Sequence, residues 1–253
     1  MTSLTTEQLV NRLAPIIGDL GSKYMLDKNT REIATELGYP HPFAFYFLGR
    51  GGVLGDVDAD VVVAAFAFFE PGMVRTMWDM ARQTSDPKTA VTQYAAVCAN
   101  YGRDHIAKAP NLERFNELAE KVLATVDVTG LSLFAGWRRV ERPVDPPARA
   151  YHNIALLREW RGSAHICAVA ASSLTAQQAI VTGAASTEAG VATAKAFGWS
   201  GQSGDTEALA PARRAVEAST TAMQTKAFGV LTDSERVEFA ELVDSIMAAH
   251  DNG

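Results

Sequence analysis

The chain has 253 residues, of which 47% are hydrophobic and 21% are charged, so it has enough apolar material for a core and an ordinary water-facing surface. Its formal net charge is −6 at pH 7. A negative balance repels a phosphate backbone at long range, and DNA binding would therefore need a local basic patch.

The beginning of the chain does not resemble a targeting segment. It lacks the basic start and apolar run of a signal peptide. No stretch approaches the roughly 20 apolar residues that cross a bilayer, and the richest run, residues 61–69, is interpreted as a buried helix. Cys98 and Cys167 lie far apart and outside any CxxC pattern, which is typical of free thiols in a reducing compartment. We therefore expect a cytoplasmic protein without a membrane segment.

Helix starts are marked by two kinds of capping signal. In a capping box a hydroxyl and the side chain three residues later cap each other's backbone amides. An aspartate before a proline caps a helix whose first position the proline fills. No segment alternates between apolar and polar residues as a half-buried strand does, so we predict an all-α fold of about twelve helices. The signals lie at Thr5-x-x-Gln8, Thr175-x-x-Gln178, Thr232-x-x-Glu235, Asp86-Pro87 and Asp145-Pro146.

Two segments have the composition of joints. Residues 140–147 contain three prolines, and proline disfavours helix at its own position and at the residue before it. Residues 198–205 are rich in glycine and serine, which is typical of a flexible loop. We predict two helical lobes, residues 1–145 and 146–253, with the loop inside the second lobe.

The first candidate site is the segment of residues 42–57, in which aromatic residues lead directly into a glycine cluster. One interpretation is a helix that ends at Gly49, where glycine permits a sharp turn. The other is a binding site, because the guanidinium of Arg50 beside aromatic rings suits a carboxylate or a planar ligand. The glycines match neither GxGxxG nor the Walker pattern, so we do not predict a phosphate loop.

The second candidate site is the segment of residues 60–78. Pro71 predicts a helix break near Phe69. Aromatic residues grouped around such a break, including Trp78, fit either a pocket wall or simple core packing.

The third candidate site is the segment of residues 151–167, YHNIALLREWRGSAHIC. Gly162 predicts a helix end or kink, whereas an unbroken helix would put Arg161 and His165 on one face. The segment fits a salt-bridged joint in which Arg158 and Arg161 pair with Glu159 and neighbouring acids. It equally fits an anion or heteroaromatic site in which His165 is a donor or general base. The five histidines show no HxH, HxxxH or HExxH spacing, so no metal site is predicted.

These segments resemble a group of actinobacterial helix-turn-helix proteins, over about residues 9–243. The resemblance implies a winged-helix-like C-terminal lobe with leading helices at residues 163–171 and 175–182, followed after GWS by a further helix and a hairpin wing. It rests on YFLGRGGVLGDVDADVV, HNIALLREWRGSAHICAVAASSLTAQQAI and Gly198-Trp199-Ser200, with Gly49-Arg50, Leu54-Gly55, Leu157-Arg158-Glu159, Arg161-Gly162 and His165 as its best markers.

The sequence departs from that pattern after GWS. It passes through Gly201-Gln202-Ser203-Gly204-Asp205 directly into a helix that begins near Thr206, so the segment for a reading helix and wing is missing. Residues 174–204 contain one basic residue, Lys195, although useful DNA affinity normally needs several phosphate contacts. We therefore expect a degenerate winged-helix-like lobe that is not a competent DNA reader.

We favour a small-molecule-binding protein whose ligand is apolar or aromatic and carries an anionic group. The sequence identifies no cofactor. Two alternatives stay open: a ligand-sensing transcription regulator, and an enzyme of specialised metabolism that uses His165 as acid or base. Apolar stripes on the last two helices favour a homodimer. The predicted ligand-binding residues are Tyr46, Arg50, Phe69, Trp78, His152, Arg161 and His165.

Overall fold

The computed structural model describes residues 3–201 and 204–251. Those residues form thirteen α-helices and two short 3-10 helices with no strand, which confirms the all-α prediction. The α-helices are α1 (Thr6–Leu20), α2 (Lys28–Glu36), α3 (Pro42–Gly51), α4 (Ala59–Ala65), α5 (Pro71–Arg82), α6 (Pro87–His105), α7 (Leu112–Ala124), α8 (Ser132–Trp137), α9 (Pro146–Ala170), α10 (Ala176–Gly183), α11 (Thr187–Ala196), α12 (Thr206–Phe228) and α13 (Asp233–Asp251).

The helices begin where the capping signals predict. Thr5 and Thr175 form complete capping boxes at α1 and α10, and Thr232 exchanges the same pair of hydrogen bonds with Glu235 before α13. Aspartates cap α6 and α9, and a proline follows each of them at the first helical position. The predicted break at Pro71 is also present, since α4 ends at Ala65 and α5 begins at the proline.

Two glycines do not end their helices as predicted. α3 continues through Gly49 to Gly51. Gly49 allows close packing instead of a turn, since a Cβ there would lie 2.7 Å from the ring of Tyr94. α9 runs unbroken through Gly162. That helix packs against α1, α6, α7, α8 and α12, and such burial outweighs the weak helix propensity of one glycine.

The main core draws on nearly the whole chain. It contains residues from α1 through α9 and again from α12 and α13, with Trp137 and Trp160 on either side of residue 145. A second, smaller cluster lies beneath α10, where Leu174 and Ala179 contact Val216. The division into lobes at residue 145 stays a prediction.

The C-terminal half contains a compact helix pair. A three-residue turn, residues 184–186, joins α10 to α11, and the two cross closely because a Cβ on Gly190 would lie 2.6 Å from the carbonyl oxygen of Val181. The implied helix at residues 163–171 is not separate but forms the end of α9. The predicted loop includes Gln202 and Ser203, which lie outside the described residues.

None of the helices in the described part of the chain has the length and apolarity needed to cross a membrane.

Substitution by alanine should have opposite effects on stability at two glycines in neighbouring helices. Gly102 lies where α6 crosses α9, and a Cβ there would lie 2.6 Å from the carbonyl oxygen of Pro147. Gly102→Ala should therefore lower the free energy of unfolding by roughly 2 kcal/mol. The control Gly162→Ala meets nothing within 4 Å and should raise it by about 0.5–1 kcal/mol. Urea titration measures both, and equal shifts in the two variants would contradict this packing.

Candidate functional site

A cavity of about 630 Å³ lies where α1, α9 and α12 meet, and it opens to solvent. The volume is typical of small-molecule sites. α9 contributes cationic and imidazole groups, α1 contributes mostly small residues, and α12 contributes charged and polar groups. The lining residues are Glu7, Asn11, Ala14, Pro15, Gly18, Arg158, Arg161, Gly162, His165, Arg213, Glu217, Ala218 and Thr221.

The polar wall is organised by one carboxylate between two guanidinium groups. Glu217 accepts a hydrogen bond of 2.7 Å from Nη2 of Arg161 on α9 and forms an ion pair with Arg213, one turn earlier on α12. Burial alone would raise the pKa of Glu217, but the two arginines outweigh it and hold that pKa below its ordinary value. Burial also lowers the pKa of Arg213, although Glu217 acts in the opposite direction. Both arginine side chains remain 20% exposed, so each can reach a ligand.

His165 has both ring nitrogens engaged. Nε2 lies 3.2 Å from Nη1 of Arg213, and since a guanidinium can only donate, Nε2 must be the acceptor. Nδ1 then carries the proton in the neutral ring and donates to Oγ1 of Thr220 at 3.0 Å. That hydroxyl in turn donates to the carbonyl of Val216. Burial, together with Arg213 and Arg161, lowers the pKa of His165 to about 4 against the effect of Glu217. The ring is therefore neutral at pH 7 and orients Arg213.

On the α1 side, the cavity is lined by Glu7 and Asn11 and by three residues without long side chains, Ala14, Pro15 and Gly18. Pro15 lies inside α1, and because proline has no N–H, the carbonyl of Asn11 lacks its usual helical donor. Gly18 and Gly162 face each other's helices across the cavity, and a Cβ on either would meet nothing within 4 Å. Neither glycine is therefore required for packing, yet each weakens its helix relative to alanine.

Arg50 lies in the core rather than in the cavity. Its Nε and Nη2 donate to the two carboxylate oxygens of Glu159 at 2.7 and 2.9 Å, and its Nη1 donates to the hydroxyl of Tyr46 at 2.8 Å. The guanidinium also lies over the ring of Phe66, 4.7 Å from its centroid. Burial alone would raise the pKa of Glu159, but Arg50 outweighs it and holds that pKa below its ordinary value. The salt-bridged joint interpreted from the sequence paired Glu159 with Arg158 and Arg161. In the structure Glu159 is paired with Arg50 and Arg158, whereas Arg161 pairs with Glu217.

The other predicted ligand residues are also buried. Phe69 stacks on Phe197 with ring centroids 4.1 Å apart, and Trp78 is packed in the same core. His152 is 2% exposed, its Nε2 has no hydrogen-bond partner, and burial lowers its pKa to about 4. Of the seven predicted residues, the structure brings only Arg161 and His165 to the cavity.

Sequence reasoning missed the contribution of α12. Arg213 and Glu217 are four residues apart, a spacing that places them on one helix face, but nothing in the sequence indicates that this face meets Arg161. The contribution of α1 was also missed. Its signal was a proline and a glycine, Pro15 and Gly18, within an otherwise regular helical pattern.

A larger open groove of about 1100 Å³ lies between α6 and the segment of residues 139–144. None of the predicted ligand residues lines it, and its Arg103 is already paired with Asp145 through two hydrogen bonds. Among residues 3–201 and 204–251, no group of three or more histidine, cysteine, aspartate or glutamate side chains could hold a metal ion.

The sequence profile of a helix-turn-helix family matches residues 10–253, almost the whole chain. No curated protein and no solved structure matches.

The buried ion pair gives a prediction about stability. Glu159→Gln leaves the cation of Arg50 uncompensated in the core, so the free energy of unfolding should fall by roughly 3–5 kcal/mol. The double variant Arg50→Met/Glu159→Leu removes both charges and should lose less than the single variant does. Glu238→Gln, at a half-exposed pair with Arg114, is the control and should cost less than about 1 kcal/mol. Urea titration would contradict the pair's role if Glu159→Gln behaved like the control.

The two buried histidines predict a loss of stability on acidification. The folded chain holds the pKa of His152 and His165 at about 4, below the ordinary 6.5, so the unfolded chain binds the additional protons. The part of the free energy of unfolding that depends on these two neutral rings is fully present above about pH 6.5 and is lost as the pH falls towards 4. At pH 5, each of the two histidines should lower the free energy of unfolding by roughly 2 kcal/mol relative to its value at pH 7. In urea titrations, His165→Gln should halve the difference in free energy of unfolding between pH 7 and pH 5. A wild-type chain that is equally stable at both pH values would contradict the prediction.

Proposed function

The chain belongs to a helix-turn-helix family, and on that premise we propose that it binds a small molecule in the cavity between α1, α9 and α12. The ligand has an apolar or aromatic body and an anionic group. The observation that carries the proposal is the pair of cavity glycines, Gly18 and Gly162, which leave space that packing does not require. A position that costs helix stability without a packing benefit is typical of a binding site.

The two walls of the cavity support this class of ligand. Arg158, Arg161 and Arg213 face it from two helices, and guanidinium groups bind carboxylates and related oxyanions through paired hydrogen bonds. On the α1 side of the cavity, Ala14, Pro15 and Gly18 form an apolar surface without long side chains, which suits the face of a ring. The neutral His165, with both nitrogens occupied, favours binding over acid–base catalysis at this position.

We further infer that the helix-turn-helix region is shortened and does not read DNA. Along the described residues 174–201 the only basic residue is Lys195, and Glu188 offsets its charge. The outer side of α11 presents small side chains, such as Val191, Ala192 and Ala196. Arginine, lysine, asparagine and glutamine are the residues that usually read base edges, and Lys195 is the only one of these types in α11.

The proposal can be tested with 1-anilinonaphthalene-8-sulfonate, an aromatic sulfonate whose fluorescence rises in apolar sites. We expect saturable binding with one dye per chain. Gly162→Leu fills the cavity and should weaken the affinity at least about tenfold, the effect of roughly 1.4 kcal/mol. The matched control Ala222→Leu adds the same side chain to an exposed position of α12 and should leave the affinity unchanged.

The charge requirement is tested by N-phenyl-1-naphthylamine, which lacks the sulfonate. Arg161→Gln should weaken binding of the sulfonate severalfold, the worth of a charge-assisted hydrogen bond, and should not weaken binding of the neutral dye. If Gly162→Leu bound the sulfonate as tightly as wild type does, the cavity would not be the site and the proposal would be wrong.

A further inference from the structure

Glu217 occupies the position that an anionic ligand would need. Its carboxylate lies between Arg161 and Arg213 at the polar wall of the cavity. The chain thus already binds one carboxylate of its own there, and the groups that hold it are the best anion ligands that the cavity offers. Of the three side chains, Glu217 is the most exposed at 34%, compared with 20% for each arginine. As the most solvated of the three groups, it needs the smallest movement to turn fully into solvent.

Arg213 lines the cavity and also contacts α10, the first helix of the compact α10–α11 pair. Its Nη1 donates to the carbonyl of Ala179 on α10 at 3.1 Å. The guanidinium also lies directly against Gly183 at the end of that helix, where a Cβ would lie 2.8 Å from Nη2. The absence of a side chain at Gly183 therefore allows this approach. Any change in the position of the Arg213 guanidinium changes a contact of α10.

The geometry points to an exchange of anions that is transmitted to α10. We propose, on the basis of the function proposed above, that the ligand's anionic group replaces Glu217 between Arg161 and Arg213. The ligand, unlike Glu217, is not attached to α12, so Arg213 turns towards the cavity to reach it, and its Nη1 releases both the carbonyl of Ala179 and Nε2 of His165. The exchange replaces one charge-assisted pair with another, so it needs little free energy beyond that of ligand binding. α10 loses a contact with α12, and ligand binding thereby loosens the α10–α11 pair.

The first test removes the internal competitor. Glu217→Gln keeps the shape of the side chain but removes its charge, so the affinity for 1-anilinonaphthalene-8-sulfonate should rise roughly tenfold, the equivalent of about one charge-assisted hydrogen bond. The affinity for N-phenyl-1-naphthylamine should not change. Glu120→Gln is the matched control, because Glu120 is likewise held by two arginines, Arg149 and Arg142, outside the cavity. A role for Glu217 in structure alone would leave the sulfonate affinity unchanged or lower it.

The second test follows α10 directly in the wild-type chain. Amide hydrogen exchange is measured with and without a saturating concentration of the sulfonate, and we expect severalfold faster exchange in α10 and α11. α7 shares no residue with the cavity lining and should exchange at the same rate in both samples. Unchanged or slower exchange in α10 would overturn the coupling.

The outcomes separate the two proposals. If the sulfonate shows no binding that is sensitive to Gly162→Leu, the proposed function fails, and the exchange of anions fails with it. If binding is sensitive to Gly162→Leu but Glu217→Gln does not strengthen it, the cavity binds ligands and only the exchange is wrong.

Discussion

The bidentate ion pair between Arg50 and Glu159 is the constraint on which the arrangement of the helices depends. It joins α3 to the middle of α9 inside the core, and a buried cation or carboxylate alone would be strongly unfavourable. Trp137 reinforces the joint, since its indole N–H donates to the carbonyl of Arg50. The pair therefore fixes both the depth and the rotation of α9, whose neighbours are α1, α6, α7, α8 and α12.

The rotation of α9 determines what faces the cavity. With Glu159 directed into the core, Arg161 and His165 are directed towards α1 and α12, because residues two and six positions further along a helix point away from Glu159. Arg158 joins the two environments, since it lines the cavity and its Nη1 lies 3.3 Å from a carboxylate oxygen of Glu159. α9 thus contributes Glu159 to the core ion pair from one face and Arg161 and His165 to the candidate site from the other.

The cavity combines features that each reduce the stability of the fold. Gly18 and Gly162 weaken their helices, Pro15 removes a helical hydrogen bond, and His165 is kept neutral at the expense of stability in acid. Local rules of helix formation are usually broken where a protein has a functional use for the exception. Here several exceptions lie around a single space, while the capping and packing of the same helices follow the ordinary rules.

The sequence by itself determined the helices, because capping and periodicity act within a few residues. It identified the starts of α1, α10 and α13 and singled out the segment that contains Arg161 and His165. Only the tertiary structure decided which polar residues share a site. Arg50 and Arg161 looked equivalent in the sequence, but one is committed to a buried carboxylate and the other faces a cavity. That difference arises from contacts between residues over a hundred positions apart, such as Arg50 and Glu159, which no local pattern contains.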